Sequence, residues 1–187
     1  MSLIQVVVPS RVDIPDYHDL KLEIEQLVGQ INGEFVQPGG WVPWYVYGSL
    51  SRNDLLAYYR AADVALITPL KDGMNLVAKE YCACSIEEDC VLILSEFAGA
   101  AAQLHRGAIL VNPYDTDGVG DALWRAWNMG VEERESRMRR LRRSVRTFDV
   151  FWWVDSFLNA AISHDLSAFP APEEGEAQEL AADFLPL

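Results

Sequence analysis

From residue 3 onward, short apolar runs alternate with longer stretches in which apolar residues recur every three or four positions. The runs fall at 3–8, 42–47, 63–68, 90–94 and 108–111, and few polar side chains interrupt them. Such runs predict strands buried on both faces, without the in–out alternation of a half-wet strand. Leu20, Ile24, Leu27, Val28 and Ile31 keep helical spacing, with acids on the other side. Asn32-Gly33 is the expected end of that helix, since both residues tolerate left-handed backbone, and 13–17 reads as a loop or lead-in. Ser49 or Ser51 caps a second helix through Leu55, Leu56 and Tyr59 to about Ala61. Asn75 opens a third, to about Cys84, and 115–129, 131–147 and 150–162 complete the set. Pro38-Gly39-Gly40 marks a loop over 35–41, 86–89 is an acidic loop, and 95–101 is a small-residue turn. Strands alternating with helices predict an α/β fold, a parallel sheet with helices on both faces.

Ligands of such sheets bind beyond the carboxyl ends of the strands. Three stretches are expected to converge there: 49–52, 69–75 and 95–101. The middle one is the sharpest. Pro69 stops a strand, Asp72-Gly73 supplies turn chemistry, and Asn75 starts a helix. Gly73, Met74 and Asn75 then offer consecutive N–H donors at the positive end of a helix dipole, which suits a phosphate. Two carboxylates flank it, Asp72 before the helix and Glu80 inside it, a pair able to grip sugar hydroxyls. Arg52 heads the second helix, where its fixed charge could meet a sugar phosphate. A plain strand–turn–helix connection with solvated side chains accounts for the same residues.

Composition narrows the partners. Of 187 residues half are hydrophobic, and the formal charge is −13. That balance argues against nucleic acid and requires any anion site to be arranged locally. Cys82, Cys84 and Cys90 are odd in number and lack C-x-x-C spacing, so they read as reduced thiols in a cytoplasmic protein, with no metal. No apolar run is long enough for a bilayer. Seven of the fifteen basic residues lie between Arg134 and Arg146, interleaved with Met138, Leu141 and Val145, which reads as an amphipathic helix with a solvated face. The three histidines are scattered and suggest no triad. Residues 1–163 are expected to form one partial domain; 164–187, with six acids, three prolines and no lysine or arginine, read as a disordered tail. The abrupt entry into a strand suggests a segment of a longer protein.

Val6-Val-Val-Pro-Ser-Arg11, Ile31-Asn-Gly33, Thr68-Pro-Leu-Lys-Asp-Gly-Met-Asn-Leu-Val-Ala-Lys-Glu-Tyr81, Leu94-Ser-Glu-Phe-Ala-Gly-Ala100 and Val111-Asn-Pro-Tyr-Asp115 together resemble the trehalose-6-phosphate synthases. Those are retaining glycosyltransferases of the GT-B fold, and the likeness runs from about Ile4 to about Leu158. It implies a Rossmann-like donor domain, the carboxyl-terminal half of that fold, lacking its first, innermost strand and the amino-terminal acceptor domain. The implied reaction moves glucose from UDP-glucose, or GDP-glucose, to glucose-6-phosphate, forming trehalose 6-phosphate with no metal or other cofactor. By position, Asp72 would be the catalytic-site carboxylate and, with Gly73, Met74 and Asn75, would contact the donor glucose. Leu76 and Val77 would meet the diphosphate through their backbone, Glu80 the ribose, Leu55 the base, and Arg52 the acceptor phosphate.

The chain departs from the family pattern in places. Gln30 stands where the family usually has an arginine for the acceptor phosphate, and Lys71 where arginine is common. Losing a charge-assisted contact at Gln30 costs about 1.5–3 kcal/mol and opens the acceptor to other candidates, as in a glucosylglycerol-phosphate synthase or a pseudo-glycosyltransferase. The Arg/Lys pair that grips the donor diphosphate would precede the first strand, so the chain alone is expected to be inactive. A non-catalytic nucleotide-binding or assembly module is the contrasting reading, because exposed sheet edges could pair between copies into a homo-oligomer.

Overall fold

In the computed structural model, which describes residues 2–10, 14–35 and 43–163, the chain divides into two compact units, Met1–Leu55 and Leu56–Leu187. Expectations for 36–42 and for the tail at 164–187 lie outside the described residues.

The first unit holds β1 (Ile4–Val7), α1 (Pro15–Phe35), β2 (Trp44–Tyr47) and the start of α2 (Arg52–Ala61). β1 and β2 pair in parallel, Ile4 opposite Trp44 through Val7 opposite Tyr47. α1 begins earlier than its apolar spacing indicates, because Pro15 suits a first turn whose N–H groups have no partner in any case. It also runs through Asn32-Gly33, which corrects the expected stop. At Gly33 an added Cβ would meet nothing within 4 Å, so the residue is an ordinary helical glycine, tolerated at a cost near 1 kcal/mol. Ser51 is the cap of α2. Its Oγ accepts from the N–H of Asp54 at 3.2 Å and donates to Asp54 Oδ2 at 2.6 Å. None of the described residues of this unit is buried. The expectation of a doubly buried first strand is therefore corrected: Ile4 is 47% exposed, and neither face of β1 is closed over.

The second unit holds the rest of α2, then β3 (Val64–Ile67), α3 (Leu76–Cys84), β4 (Val91–Ser95), α4 (Ala101–Leu104), β5 (Ile109–Val111), α5 (Thr116–Trp127), α6 (Val131–Thr147) and α7 (Val150–Ser163). Its sheet has the order β3-β4-β5, all parallel, with every residue of β4 buried. Alternate residues of β4 feed two cores. Leu92 and Leu94 pack with Ala78, Tyr81 and Cys82 of α3, Leu104 of α4, and Met138 and Leu141 of α6. Val91 and Ile93 pack with Ile109 and Val111 of β5 and with Ala122 and Ala126 of α5. The parallel α/β class is the one expected, with helices on both faces of this sheet. The described strands divide between two sheets, however. α4 was not expected; four residues are too few to leave a helical period.

α6 departs from the solvated-face reading most clearly at one residue, although Arg134 and Arg137 are also half-buried and donate to backbone carbonyls. Arg142 is 8% exposed, and its Nη1 donates to the carbonyls of Cys82 at 3.0 Å and Ala83 at 2.8 Å. Those carbonyls belong to the last turn of α3, which has no helical donors left for them. Leu141 and Val145, like Met138, do turn inward. Cys82 and Cys90 are buried free thiols, as expected, and Cys84 is half-buried. Burial, with Cys90 alongside, pushes the Cys82 thiol up to about 12. No described helix is long and apolar enough to cross a membrane.

Candidate functional site

At the carboxyl edge of the second sheet, the loops after β3 and β4 are stitched together. Asp72 N–H donates to the carbonyl of Phe97 at 3.3 Å, and Gly99 N–H donates to the carbonyl of Asp72 at 2.9 Å. Asp72 and Ala98 form an isolated parallel bridge. The approach is close enough to require glycine: a Cβ on Gly99 would lie 2.0 Å from the carbonyl oxygen of Gly73. Two of the three stretches expected to converge, 69–75 and 95–101, therefore meet here.

The side chains then set the start of α3. Asp72 Oδ1 accepts from the N–H groups of Met74 and Asn75, both at 3.1 Å, and its Oδ2 accepts from Asn75 Nδ2 at 3.0 Å. Asn75 takes left-handed backbone, φ 65°, a conformation asparagine tolerates, and its Oδ1 accepts from Ala78 N–H at 2.9 Å. This redistributes the donors. The N–H groups of Met74 and Asn75, offered by sequence to a phosphate, are occupied by Asp72. Among the described residues, those of Gly73, Leu76 and Val77 have no acceptor. At Leu76 and Val77 they are the first two of the helix, where the dipole is positive.

Glu80 is exposed on α3, four residues beyond Leu76, and its Oε2 accepts from the Tyr59 hydroxyl at 3.1 Å. Tyr59 was missed as a site residue, since its spacing on α2 identifies it only as an inward-facing aromatic. Burial first, and the bond to Glu80 second, push its phenol up to about 12. Its ring meets Tyr81 edge-on at 6.3 Å, and Tyr81 donates to the carbonyl of Ala62 at 3.0 Å. Apolar side chains stay exposed on these loops and on the helix start: Met74, Leu76, Val77 and Phe97, the last against Tyr114 at 6.0 Å.

The remaining candidates belong to the first unit. Arg52 is the exposed first residue of α2, and Leu55 is half-buried a turn later. Gln30 is exposed on α1. Lys71, in the second unit, is exposed as well. Among the described residues no three His, Cys, Asp or Glu side chains are grouped to hold a metal.

A parallel sheet covered by helices on both faces, with open helix-start donors and a nearby oriented carboxylate at its carboxyl edge, puts this unit in the Rossmann-like α/β class. More specifically, the chain belongs to glycosyltransferase family 20, whose family model matches residues 1–163. It is 51% identical over 158 residues to the trehalose-6-phosphate synthase of Mycobacterium avium (strain 104), covering 84% of this chain and 32% of that protein. The corresponding protein of Mycolicibacterium gilvum (strain PYR-GCK) is 48% identical over 163 residues, 87% of this chain and 32% of its own length. Among solved structures, the UDP-forming α,α-trehalose-phosphate synthase of Burkholderia xenovorans, in complex with glucose-6-phosphate, superposes with TM-score 0.81 at 42% identity. That match covers 84% of this chain and 35% of the other. An E. coli structure bound with UDP-2-fluoro glucose gives TM-score 0.81 at 40% identity, over 84% and 35% of the two chains. The chain thus spans about a third of the length of the curated relatives it matches.

Proposed function

We propose that this chain is the donor-binding portion of a retaining glycosyltransferase that moves glucose from UDP-glucose to glucose-6-phosphate, forming α,α-trehalose 6-phosphate. One observation carries the proposal. Asp72 occupies the N–H groups of Met74 and Asn75, and this leaves those of Leu76 and Val77 as the open donors at the start of α3. The donor diphosphate binds those two groups. The ribose hydroxyls donate to Glu80, which Tyr59 holds from behind. Asp72 and the backbone over 73–75 lie against the glucose. The leaving diphosphate takes the acceptor's proton on the face where the new glycosidic bond forms, so the protein's part is placement and stabilisation of developing charge. UDP is preferred to GDP as the donor's nucleotide because the matched structures include UDP-forming and UDP-sugar-bound enzymes. No metal or other cofactor enters the scheme, and a reducing, cytoplasmic location goes with it, in keeping with three free thiols.

A helix start contributes about 0.3–2 kcal/mol to holding an anion, so the chain alone should bind UDP weakly, on the order of millimolar. In an amide-resolved NMR titration, UDP should shift Leu76 and Val77 first, and Glu80→Gln should weaken UDP more than 2′-deoxy-UDP. Shifts confined to other residues would remove the assignment. Gln30 supports a second reading for the acceptor alone. The whole protein assayed with glucose-6-phosphate and with glycerol-3-phosphate separates the two; absence of turnover with the former would leave the donor half standing and overturn the acceptor.

A further inference from the structure

The carboxyl-terminal half of α6 carries arginine at 139, 142, 143 and 146, the i, i+3, i+4, i+7 spacing that puts four side chains on one face. The acids of this helix, Glu132, Glu133 and Glu135, all lie in its first half. The four arginines, with Glu88 and Thr147, line an open cleft of about 280 Å3. Glu88 arranges two of them, its carboxylate lying 3.3 Å from Arg139 Nε and 3.4 Å from Arg142 Nε. Arg139 also lies 3.8 Å from Glu135. Glu88 itself has left-handed backbone, φ 61°, and donates its N–H to the carbonyl of Ser85. Arg142 is held further by the α3 carbonyls, and its buried Nε has no hydrogen-bond partner. Arg143 and Arg146 are exposed and have no ion-pair partner among the described residues.

In the first half of α6 an acid on the helix itself, Glu133, pairs with Arg137. Here the one acid in the cleft is already shared between two guanidiniums. Two guanidiniums are left over, matching the charge of a phosphate monoester dianion. Guanidinium is the side-chain group whose planar fork fits phosphate oxygens in pairs. The cleft is of a size for a compact group. We propose that this cleft is a binding site for a phosphate-bearing small molecule, held by Arg143 and Arg146 and flanked by the pre-arranged Arg139 and Arg142. The site is made of α6 and the loop before β4, separate from the residues assigned to the donor.

Calorimetric titration of the full chain at low salt with pyrophosphate, and in parallel with inorganic phosphate, tests it. Pyrophosphate should bind saturably, and R143A/R146A should weaken that binding about tenfold or more. R143K/R146K should recover only part of it, because lysine keeps the charge without the fork. Both positions are exposed, so circular dichroism of the variants should match the parent. Absence of saturable binding below about 10 mM, or binding that R143A/R146A leaves unchanged, overturns the proposal. So does pyrophosphate binding that emerges only in E173Q/E174Q/E176Q, which would make the acidic segment of this chain the occupant of the cleft.

Discussion

β1 and β4 are both short apolar strands in parallel sheets, yet no residue of β1 is buried and every residue of β4 is. The difference lies in what covers them. β4 has α3, α4 and α6 over one face and α5 over the other. β1 has a single partner strand, and α1 contributes no buried residue. An apolar run therefore specifies that a strand needs cover; it does not specify that the cover is supplied by the described residues. Among its described residues the first unit has the apolar pattern for burial without a buried residue, whereas the second has its own core.

The largest test of this contrast is a matched pair of truncations. Ile93→Ala should cost about 2–5 kcal/mol, since Ile93 is fully buried. Ile4→Ala should cost under about 1 kcal/mol. Urea unfolding followed by hydrogen exchange of each strand would measure both, and equal losses would erase the distinction. Next is alkaline pH. The Cys82 thiol ionises near 9.0 when exposed and near 12 in the fold, so its neutral form is the one the fold favours. The stability this represents is complete below pH 9 and is lost as pH rises toward 12, on the order of 3–4 kcal/mol. Tyr59, raised from 10.0, adds to the loss above pH 10. Unfolding monitored across that window should show the second unit weakening, and Cys82→Ala should flatten the limb between pH 9 and 10.

Two glycines give opposite signs. Gly99→Ala drives a methyl into the Gly73 carbonyl and should cost about 1–3 kcal/mol, with loss of the UDP-induced shifts. Gly33→Ala meets nothing and should stabilise α1 by about 0.5–1 kcal/mol. Thermal melts of the two variants decide this, and a destabilising Gly33→Ala would mean that α1 is not an unconstrained helix. The change with the smallest expected effect on stability is Tyr59→Phe. Removing the hydroxyl that holds Glu80 should weaken UDP by about 1 kcal/mol, with melting nearly unchanged.

The strand–turn–helix from β3 to α3 was legible because its signals are local. Pro69 ends the strand, Asp72-Gly73 turns it, and Asn75 caps α3 through its own side chain. The parallel α/β class followed from the same alternation. What stayed hidden depends on residues far apart in the chain. Tyr59 and Glu80 are 21 positions apart, and Arg142 reaches back 60 to Cys82. Nothing in the local pattern around Gly99 announces that its Cα faces Gly73. Even within the motif, sequence indicated which N–H groups were present without showing that Asp72 would occupy two of them. Pattern thus located the turn and the helix start, and side-chain geometry decided which of their donors are free.

Arg142 has a mechanical consequence. α3 is nine residues long, about 13 Å end to end, with its open amides at one end and the guanidinium of Arg142 fastened to the carbonyls at the other. A short helix seated only by its apolar side can slide along its axis, and the two N–H groups would travel with it. Moored at the stern by Arg142, α3 is restrained against that slide, so the placing of the Leu76 and Val77 amides depends on a contact at the other end of their own helix.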